Sequence, residues 1–199
     1  MSSEFNVLVK SMAQHLSDEE FAEFCIANRD LRFERDSNSN IIIRSPVKDE
    51  SSELNCEVSA QLHLWNKKNK MGKVFDSSAG FTLSNTAVRS PDATWIELNN
   101  YKSAKIAHGE EKGFLKITPD FVIEVKSESD VLETLKAKME EYLACGVKLA
   151  YLINADDKTI SIYRPGKSVE HKLFSERVIA TEVVVGFELD LSSFVNPTF

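Results

Sequence analysis

The sequence lacks most features that mark a specialised chain. Its three cysteines, Cys25, Cys56 and Cys145, are widely spaced and include no Cys-x-x-Cys pair, which argues against a zinc site or a disulfide framework. Free thiols suit a reducing cytosol. Met1 to Phe5 carries no basic n-region leading into a long apolar run, so no secretory signal is read there. No stretch approaches the roughly 18–20 apolar residues needed to cross a bilayer. The expectation is a soluble cytoplasmic protein with no membrane partner. Basic residues are also short: 24 Lys and Arg against 31 Asp and Glu give a net charge of -7. That argues against a domain living permanently on nucleic acid, but not against a nuclease with a local basic or metal-lined groove. Internal repeats and low-complexity tracts are absent.

What remains is an ordinary globular composition, 42% hydrophobic and 28% charged, which with 199 residues supports one substantial core. A single domain over 1–199 is expected, with 1–30 as a helical N-terminal extension and 31–190 as the core. Val7, Leu8, Met12 and Leu16 suit a short amphipathic helix. Ser17 and Glu20 form a capping box that starts a helix over 18–28. Leu31 to Arg35 alternates apolar and charged, Ser37–Asn40 turns, and Ile41–Ile43 returns, a hairpin. Ser51-Ser52-Glu53 opens a second helix with Leu54, Val58, Leu62 and Trp65 on its buried stripe.

From Lys73 the period drops to two. Short strands are predicted at Val74-Phe75, Phe81–Leu83 and Ala93–Ile96, followed by a polar excursion over 97–117 with room for a short helical turn. Phe121–Val125 reads as a buried strand. Ser129 is the predicted cap of a helix over 130–144, and Val147–Ile153 a central strand. Thr159–Tyr163 suits an outer strand, and the remainder, ending in Val183–Val185 and Phe187, short strands. The order predicts an α/β (α+β) domain built on a mixed sheet.

The chemistry concentrates in Phe121–Lys126. Glu124 is an acid inside an apolar strand, costly to bury unless paired, hydrogen-bonded or metal-bound. Lys126, two residues on, shares its strand face. Two Pro-Asp pairs, Pro91-Asp92 and Pro119-Asp120, stand at strand entries, where proline fixes the backbone. Carboxylates from adjacent strands can hold Mg²⁺ or Mn²⁺, which take hard oxygen ligands. A lysine beside them can activate water and stabilise phosphorane charge. Taken alone, Glu124 and Lys126 serve equally well as a structural ion pair, and Asp92 as a turn residue.

A Pro-Asp followed across a strand by Glu-x-Lys resembles the signature of the PD-(D/E)xK nuclease superfamily. The wider frame is more specific: Ser90–Ala93, Pro119–Val125, Ser127, Asp130, Lys138-Met139, Tyr142, Gly146-Val147 and Leu152-Ile153, with Gly72–Phe75 and Gly80-Phe81. Over roughly 31–190 this is similar to the Uma2 (DUF820) family of restriction-endonuclease-like proteins. The resemblance implies a mixed sheet flanked by helices with the site at one end. It implies Asp92 and Glu124 as metal ligands for Mg²⁺ or Mn²⁺, with Asp120 of second rank. The motif lysine matches Lys126, while many relatives carry the lysine on the next helix, where this chain has Lys138. Strand parity ranks Lys126 first. A further helix acid would be Glu50, Glu53 or Glu57. Tyr142 shares a helix face with Lys138, fit for packing or catalysis. His15, His63, His108 and His171 are read as structural or surface residues.

Two functions follow. One is a metal-dependent endonuclease with DNA as partner, acting as a homodimer and losing affinity at high salt. The other is an inactive binding or assembly module on the same fold.

Overall fold

The computed structural model describes residues 16–180 and 182–195. The helix expected from Val7, Leu8 and Met12 lies outside them. Helix α1 (Asp18–Ala27) starts where its capping box predicts: the Ser17 hydroxyl accepts from the Glu20 N–H, and the Glu20 carboxylate accepts from the Ser17 N–H. Strands β1 (Arg32–Arg35) and β2 (Ile41–Arg44) form the expected antiparallel hairpin. Helix α2 (Asp49–Asn69) begins two residues before the predicted Ser51, with no side-chain cap at Lys48. It ends on Lys70, left-handed at φ 56°. There Asn66 bonds both backbone groups of Gly72 and accepts from the Trp95 indole N–H, stapling the helix end to the sheet.

Next come β3 (Gly72–Asp76), β4 (Phe81–Thr82), β5 (Val88–Arg89) and β6 (Ala93–Glu97). The polar excursion is largely a helix, α3 (Leu98–His108), which buries none of its residues. Then follow β7 (Leu115–Lys116), β8 (Phe121–Lys126) and α4 (Leu132–Ala144). Ser129 is not the cap of α4; Val131 occupies that position without a side-chain bond, and the Asp130 carboxylate accepts from Ser127 instead. The chain closes with β9 (Leu149–Asn154), β10 (Thr159–Tyr163), β11 (Glu170–Leu173), β12 (Val178–Ala180), β13 (Phe187–Leu189) and a 3-10 turn at Ser192–Phe194. Val183–Val185 are not strand, and β10 is not outermost, since β11 lies beyond it.

The main sheet runs β11-β10-β9-β8-β6-β3. Its central pair, β8 and β9, is parallel and the other pairs are antiparallel. A parallel pair needs a crossover, and α4 supplies it. Both faces of β8 and β9 are covered, so alternate residues divide between two cores. Phe121, Ile123, Val125, Leu149, Tyr151 and Ile153 pack with Leu54, Val58 and Leu62 of α2. Val122, Ala150 and Leu152 pack with Leu135, Met139 and Tyr142 of α4. Each Val, Leu, Ile, Phe or Met among them contributes about 1.5–3 kcal/mol on burial. A second sheet, β2-β1-β5-β4-β7, packs Phe33, Ile41 and Val88 against Phe21 of α1. The architecture is the mixed sheet flanked by helices that the sequence predicts.

Candidate active site

Parity along β8 dictates where its charge goes. Val122 faces α4, so Glu124 faces α4 as well, with 0% of its surface exposed. Helix α4 meets it with two side chains one turn apart. The Lys138 amine lies 2.7 Å from Glu124 Oε1, and the Tyr142 hydroxyl donates to the same oxygen at 2.7 Å. Glu124 Oε2 has no hydrogen-bond partner and is buried, with the Arg44 guanidinium of β2 at 3.6 Å.

Asp92 arrives from the neighbouring strand. Ala93 pairs with Ile123 in the antiparallel β6–β8 ladder, so one further step of register sets Asp92 opposite Glu124. Its Oδ2 accepts from the Val125 N–H at 2.8 Å. Burial first, and the Glu124 charge second, push the Asp92 carboxyl up to about 7, against the pull of that N–H, Arg44 and Lys138. The sheet has thus brought together two carboxylates that repel each other.

A third acid completes the cluster. Glu34 of β1, 1% exposed, accepts from Lys138 at 3.0 Å, Arg89 of β5 at 3.2 Å and the Ser90 N–H at 3.1 Å. Burial alone would raise its carboxyl, but the charges of Lys138, Arg44 and Arg89 outweigh that and hold it well below the usual range. Arg89 is braced in turn by Glu141 of α4 at 2.6 Å. Lys138 therefore bridges Glu34 and Glu124, and the N-terminal hairpin is part of the site.

Of the residues expected from sequence, Asp92, Glu124 and Lys138 are brought together, with Tyr142 on Glu124. Lys126 is not brought to them. It ends β8, and its amine turns to the Ser127 carbonyl at 3.1 Å and Asp156 at 2.7 Å in the turn after β9. Lys126 shares strand parity with Glu124, but at the strand end its long side chain pairs with Asp156 instead. Asp120 also stands apart, at the opposite end of β8. Its carboxylate accepts from the Glu97 N–H and Asn100 and pairs with Lys148, anchoring the start of α3. Glu50 and Glu53 are exposed on α2, and Glu57 accepts from Gln61. None of the three joins the cluster.

Glu34, Arg44 and Arg89 went unread in the sequence. A signal for Glu34 exists: its cross-strand partner is Ile42, the middle of three consecutive isoleucines. Such a run means cover on both faces of the hairpin, so an acid opposite it has no route to water.

A cleft of about 680 Å³ opens beside Asp92, between α2 and the β3–β4 turn. Among the described residues no three His, Cys, Asp or Glu side chains are grouped to hold a metal ion. A two-carboxylate site does fit. Glu124 Oε2 lacks a donor, Asp92 lies across the ladder from it, and Mg²⁺ keeps several waters when few protein ligands are offered. The three cysteines are free thiols, and burial pushes Cys25 up to about 11. No helix among the described residues is long and apolar enough to cross a membrane.

No curated protein matches the chain. Among solved structures, it is similar to one described as a putative nuclease belonging to DUF820 from Anabaena variabilis ATCC 29413. The TM-score is 0.70 at 19% identity, over 92% of this chain and 100% of the other. That likeness establishes the fold. The family model Uma2, described as "Putative restriction endonuclease", matches residues 18–192. Since that match spans every element from α1 through β13, including all that build the carboxylate cluster, the chain belongs to the Uma2 family.

Proposed function

We propose that this chain is a divalent-metal-dependent endonuclease acting on DNA, with Asp92 and Glu124 as the ligands of Mg²⁺ or Mn²⁺ and Lys138 as the working lysine. The observation that carries this reading is Glu124 Oε2, a buried carboxylate oxygen with no hydrogen-bond donor, set across the ladder from a second, partly buried carboxyl. A bound divalent ion would neutralise this pair and supply Lewis acidity for phosphodiester hydrolysis. The protein's own residues do the positioning. Tyr142 fixes Oε1 and leaves Oε2 free, while the Val125 N–H fixes Asp92. Lys138 and Arg44 hold positive charge where negative charge develops on the phosphoryl oxygens.

Nicking of supercoiled plasmid DNA with Mg²⁺ or Mn²⁺, against a chelator control, tests the reading. Asp92→Ala and Glu124→Ala are each expected to lower the rate by about 100-fold or more. Unchanged cleavage in either variant would overturn it. With a net charge of -7, DNA affinity is expected to fall steeply with salt. Cutting both strands of a duplex favours a homodimer, checked by sedimentation.

A second reading has its own support. Glu34 and Glu124 are already matched by Lys138, Arg89 and Arg44, as in a structural ion cluster, which suits an inactive binding or assembly module. Calorimetry separates the two. Mn²⁺ binding that disappears in Asp92→Asn supports the nuclease; absence of metal binding supports the module.

A further inference from the structure

Arg44 and Arg89 both serve the carboxylate cluster, but they are held differently. The Arg89 guanidinium is fixed at two points, to Glu141 at 2.6 Å and to Glu34 at 3.2 Å. Arg44, the last residue of β2, meets Glu124 Oε2 at 3.6 Å and Asp130 Oδ1 at 3.9 Å. Neither contact is short enough for a hydrogen bond. The Arg44 side chain is 29% exposed and that of Glu124 0%, so a cation with access to water stands beside a carboxylate that has none. Burial would lower its guanidinium, but Glu34, Glu124, Asp92 and Asp130 together push it up, so the charge is permanent. Asp130 supplies the second observation. Its Oδ2 accepts from the Ser127 N–H at 2.9 Å and from the Ser127 hydroxyl at 2.6 Å. That fixes the carboxylate and leaves Oδ1 on the Arg44 side.

We propose that Arg44 is the exchangeable counter-ion of Glu124, competing with the divalent ion for Oε2 and passing to Asp130 when the ion binds. The inference rests on the nuclease reading in taking Asp92 and Glu124 as the metal ligands. A divalent ion on Oε2 and a guanidinium 3.6 Å from the same oxygen are like charges at close quarters, in a buried setting where screening is weak. One of them has to give way. Lys138 is no candidate for release, since it bridges Glu34 and Glu124 at 3.0 and 2.7 Å. Arg44 is free to move: it breaks no hydrogen bond at either carboxylate, and a fixed acceptor already lies on its other side. The move is short and keeps the guanidinium beside the site. Its consequence is a threshold, because an entering ion has to displace a resident cation. A monovalent ion, with half the charge, does so far less well.

Calorimetric titration of Mn²⁺ into the full chain, without nucleic acid, tests this. Arg44→Gln is expected to tighten Mn²⁺ binding about tenfold or more, within the range usual for coupled ligands. Asp130→Asn removes the receiving charge and is expected to weaken binding about fivefold or more. A mere change of local charge would make Asp130→Asn act equally with and without Arg44. Exchange predicts instead that its effect shrinks to about twofold or less in the Arg44→Gln background. In the unsubstituted chain the Arg44 Nε–H resonance is expected to shift saturably with Mg²⁺, a readout that needs no variant to fold. Equal Mn²⁺ affinity in wild type and Arg44→Gln would overturn the proposal. So would an Asp130→Asn effect of the same size in both backgrounds, or an Arg44 resonance unmoved by Mg²⁺. Plasmid nicking that depends on Asp92, found alongside any of these results, would leave the nuclease reading standing. Absence of Mn²⁺ binding in both wild type and Arg44→Gln would sink the two together.

Discussion

Lys138 holds one amine between two buried carboxylates, 2.7 Å from Glu124 and 3.0 Å from Glu34, and these acids come from different sheets. Removing that cation leaves both acids under-compensated in the interior. Lys138→Met is expected to cost about 3–5 kcal/mol of stability, read from urea unfolding. Lys126→Met breaks a pair with a half-exposed partner, Asp156, and is expected to cost about 1 kcal/mol or less. If Lys138 is also the working lysine, Lys138→Arg folds but loses cleavage, whereas Lys126→Met retains it. The reverse pattern would return the role to Lys126.

Glu34 makes stability depend on acid. Its folded carboxyl sits below the unfolded value of about 4.3, so the unfolded chain binds the proton more readily. Its contribution is complete above that value and is lost as pH falls below about 4 toward the folded value. Unfolding midpoints measured across this window should fall with pH in the wild type. They should fall less in Glu34→Gln, which has no proton to take up there. Parallel slopes would show that another group carries the acid limb.

Metal should stabilise the folded chain if Asp92 and Glu124 bind it. Mn²⁺ at about 100 times its Kd adds about 2.7 kcal/mol, a Tm rise of roughly 5–10 °C for a chain of this size. Asp92→Asn and Glu124→Gln should remove the rise. A rise that persists in both variants would place the ion elsewhere.

Gly72 should tolerate no side chain. A Cβ there would lie 2.5 Å from the Trp95 indole and closer still to the Ile96 carbonyl oxygen, both on the paired strand. Gly72→Ala is expected to cost about 1–3 kcal/mol, visible as a lowered urea midpoint at unchanged m.

How far the sequence was readable depends on how local each signal is. The capping box of α1, the hairpin and the buried run of β8 are written in consecutive residues, and each is found where predicted. Helix α3 was missed as a full helix because it buries none of its residues, so no apolar period marks it. Ser129 looked like a cap because a hydroxyl before a helix usually is one, but Asp130 captured the local donors. Asp92 and Glu124 were legible as a pair through their motif. Glu34 was not, because its reason for being acidic is a lysine 104 residues away. That Lys138 and not Lys126 lies against Glu124 reflects the reach of a side chain at a strand end, which periodicity does not encode.

The split origin of the cluster has a kinetic consequence. Glu124, Lys138 and Tyr142 belong to one strand–helix unit, whose contacts close short loops and are expected to form early. Glu34 and Arg44 join only when the hairpin docks, closing a far longer loop. A chain folded through β8, α4 and β9 but lacking the hairpin would hold its lysine on one acid instead of two. The bridge between Glu34 and Glu124 is therefore the signature of a fully assembled molecule, and limited proteolysis within the β1–β2 turn should disarm the site while leaving the central sheet standing.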